Sequence, residues 1–197
     1  MKLLIASNNK GKVREFQTML GEYFEEVVTP AVLGIKLDVE ENGSTFMENA
    51  LIKARAFQEL TGLDTLADDS GLCVDALGGA PGVYSARYAG GHGDDEANNR
   101  LLLKNLEDVP EGQRSGRFVA ALALVRNDGS TITAEAAAEG SILFAPRGEN
   151  GFGYDPLFYT EVYNKSFAEL TDEEKNAISH RGEAIKKLRA ELEKLND

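Results

Sequence analysis

The chain has 197 residues, 42% of them hydrophobic, with 33 acidic against 21 Lys and Arg side chains and a net charge of −12. That length and composition support a full buried core and predict one domain over residues 1–197, with two lobes around a cleft. The acidic balance argues against a broad nucleic-acid or anionic-membrane surface, the lone Cys73 excludes an internal disulfide, and no apolar run reaches signal-peptide or membrane-span length, so a soluble cytoplasmic protein is expected.

Residues 3–6 form a short apolar run that suits a buried strand. Polar Ser7-Asn8-Asn9-Lys10-Gly11-Lys12 follows, and then Val13, Phe16, Met19 and Leu20 recur at helical spacing. A second strand is predicted over 25–29, ended by Pro30. Thr45-Phe46-Met47-Glu48 has the capping-box pattern and opens an alanine-rich helix to about Leu60. A short strand over 63–67 and its resumption over 72–74 place Asp68 and Asp69 at a strand end. A glycine loop at 78–82 precedes a helix over 95–106. Strands over 118–125 and 132–138 flank Asn127-Asp128-Gly129, a hairpin signal. A glycine-rich loop over 148–155 leads into Leu157-Phe158-Tyr159, and Thr171-Asp172-Glu173-Glu174 repeats the capping box ahead of a terminal helix from about Gly182 to Leu195. The order of elements predicts a mixed α/β sheet domain rather than a clean alternation of parallel βαβ units.

Five segments bear chemistry. In Ala67-Asp68-Asp69-Ser70-Gly71 two neighbouring carboxylates repel unless a cation or a shared proton offsets them, and Mg²⁺, which favours carboxylate and phosphate oxygens, would do so; a solvated acidic turn is the plain alternative. Ser7 to Lys12, where a strand meets a helix, offers backbone N–H groups, hydroxyl and amide donors and two lysines to an anion. It is not a Walker A loop, since Val13 stands where a Ser or Thr would bind Mg²⁺, and an ordinary capped helix start fits it equally. Asp38, Glu40 and Glu41 form a second acidic group before the helix that carries Glu48, Asn49 and Lys53, a face either solvated or turned to phosphate. Gly151-Phe152-Gly153-Tyr154-Asp155 sets aromatics between glycines, so a ring face is open to a ligand base or buried in a core. Lys175 and Ser179-His180-Arg181, near a break between helices, supply donors suited to base carbonyls, with a structural histidine at a helix junction as the plain alternative. His92, in its glycine loop, is expected at the surface.

Taken together and in this order, the segments resemble the inosine/xanthosine triphosphate pyrophosphatase family, from Leu4 to Leu192. The resemblance also draws on Thr45-Phe46-x-Glu48-Asn49-Ala50-x-x-Lys53-Ala54 and on residues 77–87, Leu-Gly-Gly-Ala-Pro-Gly-Val-Tyr-Ser-Ala-Arg. The strand around Arg117-Phe118-Val119-Ala120 lacks a cysteine common there, a matter of packing. The resemblance implies an elongated mixed α/β fold with a central substrate cleft, a homodimer, Mg²⁺ dependence, and hydrolysis of deaminated purine nucleoside triphosphates to monophosphate and pyrophosphate. By the same resemblance Ser7, Asn8, Asn9, Lys10, Gly11 and Lys12 cradle the triphosphate, with Lys53 as a further phosphate contact. Glu40 and Asp69 hold the metal, Asp69 is the general base, Asp68 its helper and Ser70 a substrate contact. Phe152, Gly153, Tyr154 and Asp155 form the base platform, and Lys175, His180 and Arg181 read the purine O6 edge. The rivals are a nucleotide-binding protein without catalysis, against which Glu40 and Asp69 argue, and a pyrophosphatase for modified pyrimidines, disfavoured by Ser179-His180-Arg181.

Overall fold

The computed structural model describes residues 2–91 and 93–196; His92 lies outside the described residues. The strands are β1 (Lys2–Ile5), β2 (Glu26–Val28), β3 (Asp64–Val74), β4 (Ser115–Val125), β5 (Thr131–Ile142), β6 (Phe158–Thr160) and β7 (Lys165–Ser166). They form one sheet in the order β2-β1-β3-β4-β5-β6-β7, with β1 parallel to β2 and β3, and β6 antiparallel to β5 and β7. The helices are α1 (Lys10–Leu20), α2 (Phe46–Thr61), α3 (Asp95–Asn105), α4 (Asp172–Ile178) and α5 (His180–Asn196). Mixed parallel and antiparallel pairing in one sheet is the α/β arrangement expected from the element order.

The chain divides into two compact units whose boundaries fall within β3, β4 and β5 and at the start of α5. The first comprises the residues up to Asp69, 120–136, and those from Arg181 onward. Side chains on β1 and β3 alternate between two apolar clusters in it, as a period of two requires. Leu3, Ile5 and Leu66 pack with Phe16 and Leu20 of α1 and Ile185 and Leu188 of α5. Leu4, Ala6 and Ala67 pack with Ala50, Ala54 and Phe57 of α2. Thr45 caps α2 in a complete capping box with Glu48, and Gly62 ends the helix in the left-handed conformation. The hairpin expected at Asn127-Asp128-Gly129 is present, closed by Arg126 N–H donating to Ser130 O at 2.9 Å.

The second unit spans 70–119 and 137–180 and is built around Leu72, Val74, Leu102, Phe118, Ile142, Phe158 and Phe167. The Phe118, Phe158 and Phe167 rings pack on one another with centroids 4.5–5.7 Å apart.

Two expectations need correction. β3 runs unbroken through the acidic pair, so Asp68 and Asp69 lie mid-strand rather than at a strand end. The pair could remain extended because each carboxylate meets its own partners on its own face, as described below. The last helix starts at His180, two residues earlier than expected, because Ser179 alone, extended at ψ 155, separates it from α4. β7 and three short 3₁₀ turns, at Asp75–Leu77, Gly82–Arg87 and Phe167–Glu169, carry too few residues to show a periodicity in the sequence.

Candidate functional site

The chemistry of the first unit follows from the alternation of β3. Asp68 shares the face of Leu66, towards α1 and α5, and Asp69 shares the face of Ala67, towards α2. On the first face the Asp68 carboxylate, 3% exposed, accepts from Arg181 Nε at 2.9 Å and pairs with Lys12 Nζ at 3.2 Å. Arg181, 2% exposed, also donates through Nη1 to Glu15 Oε2. The result is a buried chain of alternating charge, Lys12, Asp68, Arg181 and Glu15. Burial alone would push the Asp68 carboxyl up, but the Arg181 and Lys12 charges outweigh it and hold the group well below the usual carboxylate range. Burial lowers Lys12, with Arg181 and Lys53 adding to the effect and Asp68 opposing it. Among the described residues the second oxygen of Asp68, Oδ1, is buried with no hydrogen-bond partner.

On the opposite face Asp69 Oδ2 accepts from Asn49 Nδ2 at 3.0 Å. Asn49 is 1% exposed and its Oδ1 accepts from Gly43 N–H at 2.8 Å, so its amide is oriented from both ends. Lys53, one turn further along α2, pairs with Glu41 at 2.9 Å. Burial raises Asp69 to about 6; Lys12, the Asn49 hydrogen bond and Lys53 pull it down and Glu41 pushes it up. Two adjacent carboxylates are therefore shifted in opposite directions, the pattern that separates a permanently ionised group from one able to exchange a proton near neutrality.

The strand-to-helix loop behaves as a helix N-terminus. Asn9 is the N-cap of α1, its Oδ1 accepting from Lys12 N–H at 3.1 Å, and Asn9 N–H donates to Ser7 Oγ at 3.2 Å. Asn8, Asn9 and Lys10 are exposed and Ser7, Gly11 and Lys12 half-buried. The N–H groups of the first turn have no partner within the helix, which leaves an anion-binding end.

In the second unit, Asp155 and Lys175 form a buried ion pair at 2.7 Å. The same Asp155 oxygen accepts from Phe152 N–H at 2.9 Å, and Lys175 Nζ lies 4.6 Å from the centroid of the Phe152 ring. Tyr154 is buried and donates its hydroxyl to Ser85 O at 2.7 Å. Burial pushes its phenol far above the usual range, so it serves as a neutral donor. The His180 ring is buried and stacked on Phe118 at 4.8 Å and 16°.

The structure thus brings Lys12, Asp68 and Arg181 together, gathers Lys53 and Asp69 around α2, and gathers Phe152, Asp155 and Lys175 around the glycine-rich loop. Ser70 follows Asp69 on β3, half-buried, as the first residue of the second unit. Glu40 is exposed; the neighbouring Glu41 makes the ion pair and exerts the charge felt at Asp69. Sequence reasoning missed Glu15, and it marked Glu41 and Asn49 only as members of an acidic group and of the Lys53 helix face, without a role of their own. The one available signal for Glu15 was its place three residues after Lys12 on the same helix face.

Among the described residues no group of three or more His, Cys, Asp or Glu side chains converges on a metal position, and no helix is long and apolar enough to cross a membrane.

Comparison with known proteins gives the family. The model of the Ham1 family matches residues 3–191. The chain is 52% identical over 195 residues to the dITP/XTP pyrophosphatase of Desulforamulus reducens, covering 99% of this chain and 97% of that one. It is 52% identical over 192 residues to the protein of the same name from Exiguobacterium sibiricum, covering 98% and 97%. Among solved structures, a HAM1 protein from Coxiella burnetii superposes with a TM-score of 0.87 at 43% identity, covering 98% of this chain and 99% of that one. The Staphylococcus aureus Ham1 protein gives 0.86 at 42% identity, covering 98% of each. With its motifs in register, a family model spanning nearly its whole length and relatives more than half identical over that same length, this chain belongs to the Ham1 family.

Proposed function

We infer that the protein hydrolyses non-standard purine nucleoside triphosphates, dITP, XTP and ITP, to the nucleoside monophosphate and pyrophosphate, so keeping deaminated purines out of nucleic acids. The observation that carries this reading is the division of one acidic dipeptide between the two faces of β3, Asp68 paired with Lys12 and Arg181 and Asp69 bound to Asn49 beside Lys53. The names of relatives about half identical over nearly the full chain support it.

In this reading water attacks the α-phosphorus and pyrophosphate leaves. Asp69 orients the water and takes its proton, the task of a base whose proton affinity lies near the working pH. Asp68 keeps Lys12 in place, and Lys12, Lys53 and the backbone donors from Ser7 to Lys12 take up the triphosphate charge. Mg²⁺ fits the donor set. The oxygens are hard, and Asp69 carries a charge its neighbours do not fully offset. Two carboxylates, Glu40 and Asp69, would hold the ion together with substrate phosphates, in keeping with its habit of taking few protein ligands. When bound it supplies charge neutralisation at the phosphate oxygens.

The Phe152 ring, carried on the loop with Gly153, Tyr154 and Asp155, presents a flat surface to the base. Lys175, His180 and Arg181 offer donors to a 6-keto oxygen, and Ser70 contacts the substrate beside Asp69. Adenine would set its 6-amino group against those donors, costing about 1–3 kcal/mol per mismatch. A homodimer and a cytoplasmic location belong to the same proposal, and sedimentation equilibrium tests the first.

The deciding experiment is pyrophosphate release from ITP, dITP, XTP and ATP, with Mg²⁺ and with chelator. The deaminated substrates are expected to exceed ATP by roughly 10²–10³-fold, about 3–4 kcal/mol, with activity lost in chelator. Comparable turnover of ATP overturns the substrate assignment.

A further inference from the structure

Gly153 stands in the glycine-rich loop with a left-handed backbone, φ +62, and its N–H and C=O are both tied to one helix, α3. Asp95 Oδ2 accepts from Gly153 N–H at 2.8 Å, and Asn99 Nδ2 donates to Gly153 O at 2.9 Å. The two residues are four apart and share a face of α3. Asp95 is not the helix cap, because Asp94 fills that role by accepting from Ala97 N–H at 2.9 Å. Among the described residues the Asn99 side-chain amide has its one hydrogen bond to Gly153, and its Oδ1 is buried without a partner. A Cβ built on Gly153 would meet nothing within 4 Å, and the two hydrogen bonds tie its peptide to α3. On one side of Gly153 the Phe152 N–H and Lys175 converge on Asp155, and on the other the Tyr154 hydroxyl reaches Ser85.

We propose that Asp95 and Asn99 are positioning residues for purine selection, clamping the Gly153 peptide and thereby setting the plane in which the Phe152 ring and the Asp155–Lys175 pair meet the base. This rests on the reading of Phe152 to Asp155 as the base platform. Asp95 and Asn99 act through Gly153 and take no part in the chemistry at Asp69.

The test compares Asp95→Ala, Asp95→Asn, Asn99→Ala and Phe152→Ala on ITP and ATP with Mg²⁺. Loss of the clamp raises KM for ITP about five- to twentyfold and lowers the preference for ITP over ATP by a similar factor, with kcat within about twofold. Asp95→Asn keeps an acceptor oxygen for Gly153 N–H and stays within about threefold of the parent. Amide hydrogen exchange at Gly153, followed by NMR, reads the clamp without any turnover and quickens at least about tenfold in Asp95→Ala. An unchanged KM in Asp95→Ala and Asn99→Ala, beside a raised KM in Phe152→Ala, overturns the clamp and leaves the platform standing. An unchanged KM in Phe152→Ala removes the platform and the clamp with it, and unchanged Gly153 exchange in Asp95→Ala overturns the clamp on structural grounds alone.

Discussion

Asp68 and Asp69 show how one backbone bond can separate two chemistries. Extended geometry turns them to opposite faces, so Asp68 meets two cations while Asp69 meets an amide and a burial penalty that its lysines only partly offset. Replacing Asp69 by Asn keeps an acceptor for Asn49 but removes the base, and kcat should fall by about 10²–10⁴-fold. A variant retaining half the parent kcat would remove Asp69 from that role. The ionised form is the active one, so kcat/KM at limiting Mg²⁺ should rise with pH and level off above about 6. Metal and proton compete for the same oxygens, and added Mg²⁺ should move that midpoint to lower pH. In the metal-free fold Asp69 stands at about 6 against an ordinary 3.8, so its contribution to stability is present below about 4 and is lost as pH rises through 6. Asp69→Asn should accordingly raise the Tm of the metal-free protein at pH 8, by on the order of 1–3 kcal/mol in stability, with the gain shrinking towards pH 4. Arg181 binds Asp68 and Glu15, and truncating it takes a cation from both carboxylates. Arg181→Ala should cost about 3–5 kcal/mol in urea unfolding, depress kcat/KM on both ITP and ATP through Asp68 and also lower their ratio, whereas His180→Ala should act mainly on the ratio. A change confined to the ratio in Arg181→Ala would assign that residue to base reading alone.

Among the elements, the glycine-rich loop depends most on a single position. Gly151 has φ +74, and a Cβ there would lie 2.1 Å from Asp155 Oδ2, the oxygen that holds both Phe152 N–H and Lys175. Gly151→Ala should therefore break that hub, lower stability by about 1–3 kcal/mol and raise KM for ITP more than it lowers kcat. Thermal melts and steady-state kinetics read both effects, and an unchanged KM would show that the hub does not serve the substrate. α2 acts in the opposite way, as a rigid carrier. Its capping box and its apolar stripe of Ala50, Ala54 and Phe57 fix its rotation, and that rotation aims Asn49 at Asp69.

For the whole molecule, each compact unit has its own apolar core, and among the described residues no cluster of ligands builds a metal into either. Chelation should therefore abolish pyrophosphate release while leaving far-UV circular dichroism unchanged and Tm within about 2 °C, unlike a protein folded around its metal. A large fall in Tm on chelation would point to a structural ion. The residues alone determined the mixed α/β class, β1, α1 and α2, the Asn127-Asp128-Gly129 hairpin, the capping boxes and the motifs that mark the family, because periodicity, caps and turns are local properties of neighbouring residues. Tertiary structure alone decided that β3 passes unbroken through two carboxylates, that Glu41 rather than Glu40 pairs with Lys53, and that Asp68 meets Arg181 across 113 residues of sequence. Those outcomes depend on which face of each element packs against which neighbour, which local periodicity does not carry.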